Sequence, residues 1–190
     1  LNRYALLLDK EKNSIISANQ KDIKFAKKKG LKNNLIDRLT IDHKKLVSIK
    51  KSIEKIVKIK DPVDYILEKW RRPNGLTISR VSVPIGVLGI IYESRPNVTS
   101  DVASLCFKSG NAVILKGGSE AINTNKILAN LFRKSLKENK VDQNFIQFIN
   151  SKDRKIVDYM LSKMKDYIDV IIPRGGKSLV KRVQESSTVP

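Results

Sequence analysis

The stretch VPIGVLGIIYESRPNVTSDVASLCFKSGNAVILKGGSEA, residues 83–121, decides the fold of this chain. From 81 to 92 it is largely apolar, interrupted by Pro84, Gly86 and Gly89, as expected for a strand covered on both faces. Residues 99–109 then change to helical spacing, with Val102, Leu105, Cys106 and Ser109 on one face, Thr99 placed as N-cap and Gly110 as the stop. Residues 111–116 make a second apolar strand. Strand, helix and strand over this length predict a right-handed parallel crossover, and such units build α/β folds whose ligands sit at the carboxyl ends of the strands.

After the second strand come Lys116, Gly117, Gly118, Ser119 and Glu120, then a helix with Thr124, Leu128, Leu131, Phe132 and Leu136 at helical spacing. Two glycines let backbone approach an anion, the amides of the next helix's first turn are expected to face it, and the lysine supplies a point charge. Alone, so short a motif reads as readily as a tight turn with a solvated lysine. The arrangement recurs, however: a strand over 167–172 runs into Pro173, Arg174, Gly175, Gly176, Lys177 and Ser178 and a helix to about residue 185. Two basic, glycine-bearing corners in one parallel sheet predict a nucleotide site. Between them a third crossover is expected, with a strand over 145–150, a helix over 153–164, and Asn150-Ser151 as a third, glycine-free strand end on the same crevice.

Charge is the other conspicuous property. Thirty-eight basic against nineteen acidic residues give +19, which raises nucleic-acid binding as a function class. Yet Lys44, Lys45, Lys50, Lys51, Lys55 and Lys58 interleave with Leu46, Ile49, Ile53 and Ile56, the pattern of an amphipathic helix with a solvated face. Lysine outnumbers arginine 28 to 10, so the charge reads as compositional drift, and nucleic acid is not expected as the partner. No stretch approaches the ~18 apolar residues of a membrane span, and a single cysteine argues against a disulfide framework. A cytoplasmic α/β domain with no membrane partner is the expectation.

Two further segments read as structural. Pro73-Asn74-Gly75 between two β-prone runs signals a hairpin within 66–83. His43 has no ligand-spaced partner, so a surface histidine and no metal site are expected. Residues 1–19 read as a helix already in progress, and Ser187-Thr188-Val189-Pro190 as the start of another strand, so a part of a longer protein is expected.

The segments Val83 to Val87, Tyr92-Glu93-Ser94-Arg95-Pro96-Asn97-Val98-Thr99, Ser109 to Gly118 and Ile172-Pro173-Arg174-Gly175-Gly176 resemble gamma-glutamyl phosphate reductase, also called glutamate-5-semialdehyde dehydrogenase, of the aldehyde dehydrogenase superfamily. The resemblance covers essentially the whole chain. It implies an α/β fold with a doubly wound, Rossmann-like parallel sheet of the aldehyde dehydrogenase type, incomplete here, with N-terminal helices (1–60), a β-hairpin arm (61–82) and an NADPH-binding part (83–190). It further implies NADPH-dependent reduction of L-glutamate 5-phosphate to the 5-semialdehyde and phosphate in proline biosynthesis, through a cysteine thioester. Lys116 is then placed at the adenosine ribose, where it can meet the 2′-phosphate, with Gly117, Gly118, Ser119 and Glu120 beside it. Gly175 and Gly176 lie near the pyrophosphate with Arg174 as a partner charge. Asn97 falls at an oxyanion-hole asparagine, Arg95 is a candidate for an anionic substrate group, and the hairpin arm for contacts in a homo-oligomer. Cys106 departs from that chemistry. It sits mid-helix among apolar residues, where a thiol is a small hydrophobe, so the family's nucleophile and its domain are expected outside this chain and the chain alone is expected to be inactive. The competing readings are a non-catalytic remnant or nucleotide-binding module and a basic nucleic-acid-binding protein.

Overall fold

The computed structural model describes residues 1–190. Four helices come first: α1 (Asn2–Lys10), α2 (Lys12–Lys28), α3 (Asn33–Leu39) and α4 (His43–Lys58). An antiparallel hairpin follows, β1 (Ile66–Arg71) with β2 (Thr77–Val81), turned at Gly75 as the Asn-Gly signal requires. The chain then alternates through β3 (Val87–Tyr92), α5 (Asn97–Lys108), β4 (Ala112–Gly117), α6 (Ile122–Glu138), β5 (Ile146–Phe148), α7 (Lys155–Lys163), β6 (Val170–Arg174) and α8 (Lys177–Ser186). The four later strands form one parallel sheet in the order β5-β4-β3-β6, so the crossover sequence yields the doubly wound α/β sheet expected.

Alternation along the strands assigns the layers. Leu88, Ile90 and Tyr92 of β3, Val113 and Leu115 of β4, and Ile146 of β5 join one large core with Tyr4, Leu7 and Leu8 of α1, Leu46, Ile49 and Ile53 of α4, and Leu128, Phe132 and Leu136 of α6. Ile91 and Ile171 point to the opposite face, against Met160 and Leu161 of α7 and Val183 of α8. Aromatic packing ties the first helix to the crossover: the Tyr4 and Phe132 rings lie 4.5 Å apart, and Phe107 meets Phe132 edge-on at 6.0 Å. The hairpin, by contrast, is exposed on both faces, including Leu67, Trp70 and Leu76.

Several local expectations are corrected. The single helix over 1–19 is two, because the chain turns at Glu11 so that α1 packs across α4 and α6 while α2 runs along α6 and α3. The apolar run over 81–92 is not one strand. Val81 closes the hairpin, and Gly86, at φ +129°, turns the chain before pairing starts at Val87. Thr99 is not an N-cap; α5 begins at Asn97, and Thr99 is buried inside it, bonded to the Tyr92 hydroxyl at 2.7 Å and donating to Asn125 Oδ1 at 3.0 Å. Leu105 is exposed, because α5 turns its small residues Ser100, Ala103 and Ser104 inward, where Ser100 Oγ meets the Tyr4 hydroxyl at 2.7 Å. Gly110 does end the helix, at φ +73°. The last strand starts at Val170 rather than 167, since Tyr167 and Ile168 are still bonded back to Met164 O.

Candidate functional site

Strand order reverses between β3 and β6, and this is where an open parallel sheet presents a crevice. The carboxyl end of β3 leads into Glu93 and Ser94, that of β4 into Gly118 and Ser119, and that of β6 into Gly175 and Gly176. A cavity of about 360 Å³ opens there, lined by Glu93, Ser94, Lys116, Gly118, Glu120 and Arg154, with Lys152 and Arg182 on its rim. Lys116 reaches it from a site only 6% exposed, with Nζ donating to Gly117 O at 3.1 Å. Burial pushes its ammonium below the ordinary lysine range, and Glu120 and Asp153 partly restore it. Burial pushes Glu120 the other way, up. Its own backbone amide, the Ser119 and Ser94 hydroxyls and Lys29 outweigh burial and hold it below the ordinary glutamate value. Those hydroxyls donate to its two oxygens at 2.9 and 3.0 Å.

The two glycine-bearing corners differ in a way the sequence does not reveal. At the start of α6 the buried Asp22 carboxylate, brought in by α2, accepts from Asn123 N at 3.2 Å, Thr124 N at 2.8 Å, Asn123 Nδ2 at 2.7 Å and Thr124 Oγ1 at 2.6 Å. Those amides are therefore taken by an anion of the chain's own, and the expectation that they face a ligand's is corrected. Gly117 likewise serves packing: a Cβ there would lie 2.9 Å from the Tyr92 ring and would clash with Asn125 Nδ2. α8 is different. Its N-cap is Gly176, no side chain caps it and no acid lies in its first turn, so the amides of Lys177 and Ser178 have no side-chain acceptor. Gly175 allows Glu93 to lie against the backbone there, since an added Cβ would come 2.6 Å from Glu93 Cδ.

Adjoining the first cavity at Glu93 is a pocket of about 170 Å³ where Arg38, Arg95 and Arg174 line one space with Gly175, Gly176 and the Glu93 carboxylate. None of the three arginines takes part in a salt bridge. Arg38 also lines the next cavity, about 280 Å³, shared with Lys45, Ser48 and Ser52 and with Asn97 and Asp101 of α5. There Asn97 Nδ2 donates to Asp101 Oδ2 at 3.1 Å. Burial raises the Asp101 carboxyl above its ordinary value, while Asn97, Ser52 and Arg174 pull it back. The structure thus brings Lys116, Gly117, Gly118, Ser119 and Glu120 to one cavity, Arg95, Arg174, Gly175 and Gly176 to the next and Asn97 to the third. Sequence reasoning missed Asp22, Arg38 and Asp101. Only Asp101 left a local signal, four residues after Asn97 on the same helix face.

Cys106 lies in the main core, 5% exposed, and burial pushes its thiol up to about 11. It is a thiol at neutral pH and faces none of these cavities. No group of three His, Cys, Asp or Glu side chains is placed to hold a metal, and no helix is long and apolar enough to cross a membrane.

The reversed strand order and the crevice at its switch point are those of a doubly wound α/β sheet, and the fold is shared with an acetylating aldehyde dehydrogenase from Geobacillus thermoglucosidasius, which superposes on 99% of this chain with a TM-score of 0.70 at 16% identity, covering 38% of its own chain. More particularly, the chain is a homologue of gamma-glutamyl phosphate reductases along its whole length. It is 50% identical over 190 residues to the gamma-glutamyl phosphate reductase of Thermoanaerobacter sp. (strain X514), all of this chain and 46% of that protein. The crystal structure of gamma-glutamyl phosphate reductase from Thermotoga maritima matches 99% of this chain with a TM-score of 0.96 at 41% identity, covering 45% of that chain. The chain thus spans about half the length of the curated relatives it matches. No family model matches it.

Proposed function

We propose that this chain is the cofactor-binding portion of an NADPH-dependent reductase that converts L-glutamate 5-phosphate to L-glutamate 5-semialdehyde and phosphate in proline biosynthesis, in the cytoplasm. The observation that carries the reading is the pairing of a match to gamma-glutamyl phosphate reductases over the whole of this chain, about half of theirs, with a helix N-terminus that no side chain caps at the switch point of the sheet. The residues present fit a dinucleotide once the Glu93 side chain swings aside: the α8 amides then offer donors for a pyrophosphate, Gly175 and Gly176 add no side chain of their own, and Arg174 adds charge. Lys116 is the candidate for the 2′-phosphate, with Gly117, Gly118, Ser119 and Glu120 forming the wall at the ribose. When bound, NADPH supplies the hydride.

The rest of the chemistry is divided among the chain's own groups. Arg95, with Arg38 and Arg174, is suited to a phosphoryl group, and three guanidiniums favour departure of a dianion by matching its growing charge. Asn97 keeps one amide hydrogen on Asp101 and has the other free for the oxyanion of a tetrahedral intermediate. The thiolate that forms an acyl-enzyme is not Cys106, so in this reading it comes from outside these 190 residues. The exposed hairpin arm is proposed to contact a second copy. Titration of the purified protein with NADPH, followed by nicotinamide fluorescence, tests the cofactor assignment. Absence of binding at millimolar NADPH, with the fold intact, overturns it.

A non-catalytic nucleotide-binding module is the second reading, favoured by the buried thiol. It predicts NADPH binding without discrimination among small acids, whereas the reductase reading predicts a second, substrate-selective site.

A further inference from the structure

We infer that Asp101 recognises the α-ammonium group of an amino-acid substrate, making the cavity between α4 and α5 the site that selects a glutamyl group over a plain dicarboxylate. The inference rests on the reductase reading and names the part of that site that holds the substrate's amino group.

Three observations carry it. First, the cavity places opposite charges within one space of about 280 Å³: Asp101 lies with Ser52 and Asn97, while Arg38 and Lys45 supply cations. Lys45 Nζ donates to Thr40 O at 2.7 Å and to Asp37 O, using two of its three N–H bonds and leaving one for an anion. A carboxylate and an ammonium with a free donor on one small cavity match a zwitterion.

Second, Asp101 is incompletely satisfied. Its Oδ2 accepts from Asn97, but Oδ1 is shielded from solvent and has no hydrogen-bond partner. A buried carboxylate oxygen without a donor is costly, and such a group in a native fold calls for a reason. An ammonium supplies the missing donors. Because Oδ1 is shielded, rotation about χ2, a soft torsion for aspartate, is the movement that brings the unpartnered oxygen to the ligand.

Third, the cavities adjoin at Arg38, in the order the substrate demands. Arg38 lines both the three-arginine pocket and this one. Asn97 and Asp101, one helical turn apart, stand side by side on the wall of the second. An acyl phosphate lying along this path puts its phosphoryl group among the arginines, its carbonyl oxygen at Asn97 and its α-ammonium at Asp101. The residue is a specificity determinant, since it touches a part of the substrate where no bond changes.

The test compares L-glutamate with glutarate, the same dicarboxylate without the ammonium, by ligand-observed NMR titration of the protein and its Asp101→Asn and Ser52→Ala variants. NADPH binding by each variant is measured in parallel. L-Glutamate is expected to bind the wild type on the order of tenfold more tightly than glutarate, the worth of a charged hydrogen bond. Asp101→Asn is expected to abolish that preference without weakening glutarate, and Ser52→Ala to reduce it. An unchanged preference in Asp101→Asn overturns the assignment, as does a wild type that binds NADPH yet does not distinguish the two acids. Loss of both NADPH and acid binding in the folded wild type overturns the reductase reading with it. If Asp101→Asn does not fold, an unchanged preference in Ser52→Ala counts against the site.

Discussion

Replacing Asp22 by alanine separates two roles that the corner after β4 could have. The side chain is 1% exposed and accepts four hydrogen bonds at the start of α6, two from backbone amides, one from Asn123 Nδ2 and one from Thr124 Oγ1. An N-cap alone is worth ~1 kcal/mol, and hydrogen bonds to a charged acceptor about 1.5–3 kcal/mol each, though they do not add. The neighbouring Asn19 still donates to Thr124 Oγ1 at 3.2 Å, so part of the network survives. A loss of about 3–4 kcal/mol follows, or roughly a 10 °C fall in Tm for a chain of this size. Asp22→Asn should recover about half, since its one oxygen can still accept from the backbone amide and side chain of one residue, Asn123 or Thr124, while its NH₂ faces the other pair of donors. The assay is urea and thermal unfolding followed by circular dichroism, with NADPH affinity measured below the transition. Because the α6 amides are already satisfied, that affinity should stay within about twofold of wild type. A stability loss below about 1 kcal/mol would refute the network's importance. A tenfold tightening of NADPH, as expected if removing a competing carboxylate had opened the phosphate site, would refute the assignment of the pyrophosphate to α8.

Lys116→Ala should weaken NADPH more than NADH, by about tenfold if the buried ammonium meets the 2′-phosphate; equal losses in a fluorescence titration would remove it from that role. Gly175→Ala should lower affinity for both dinucleotides by displacing Glu93, which an added Cβ would approach to 2.6 Å, and should leave Tm nearly unchanged; unchanged binding would put the pyrophosphate elsewhere. Cys106 should resist alkylation near neutral pH, and its burial should also make the fold pH-sensitive. Its thiol is raised from 9.0 to about 11, so the stability it contributes is complete below pH 9 and is lost as pH rises toward 11; Tyr4 and Tyr92, also raised by burial, act in the same direction. Denaturant midpoints that stay constant from pH 8 to about 11 would contradict this. If the +19 charge reflects composition, binding to a short duplex should vanish near physiological salt; submicromolar affinity at about 150 mM salt would favour the nucleic-acid reading instead.

Local sequence was enough to determine the alternation of strands and helices from residue 83 onward, the hairpin at Asn74-Gly75, the helix stop at Gly110 and the amphipathic stripe of α4. Each depends on side-chain period or on a backbone preference that one or two residues carry. The candidate residues at strand ends were legible for the same reason, because a parallel crossover puts them on one edge whatever else the chain does. What lay outside its reach was every contact between distant segments. Nothing near Asn123 signals that Asp22 will occupy the start of α6, nothing near Arg95 that Arg38 will join it, and the inward turn of small residues on α5 depends on the Tyr4 hydroxyl waiting beside Ser100. Two glycine corners that look alike as strings of residues were made unlike by their neighbours, one with its helix amides bonded to a carboxylate and one with no side-chain cap. The physical reason is that propensity and period act over a turn or a strand, whereas occupancy of a helix terminus, burial of a charge and the shape of a cavity are set by whichever elements tertiary packing brings against them.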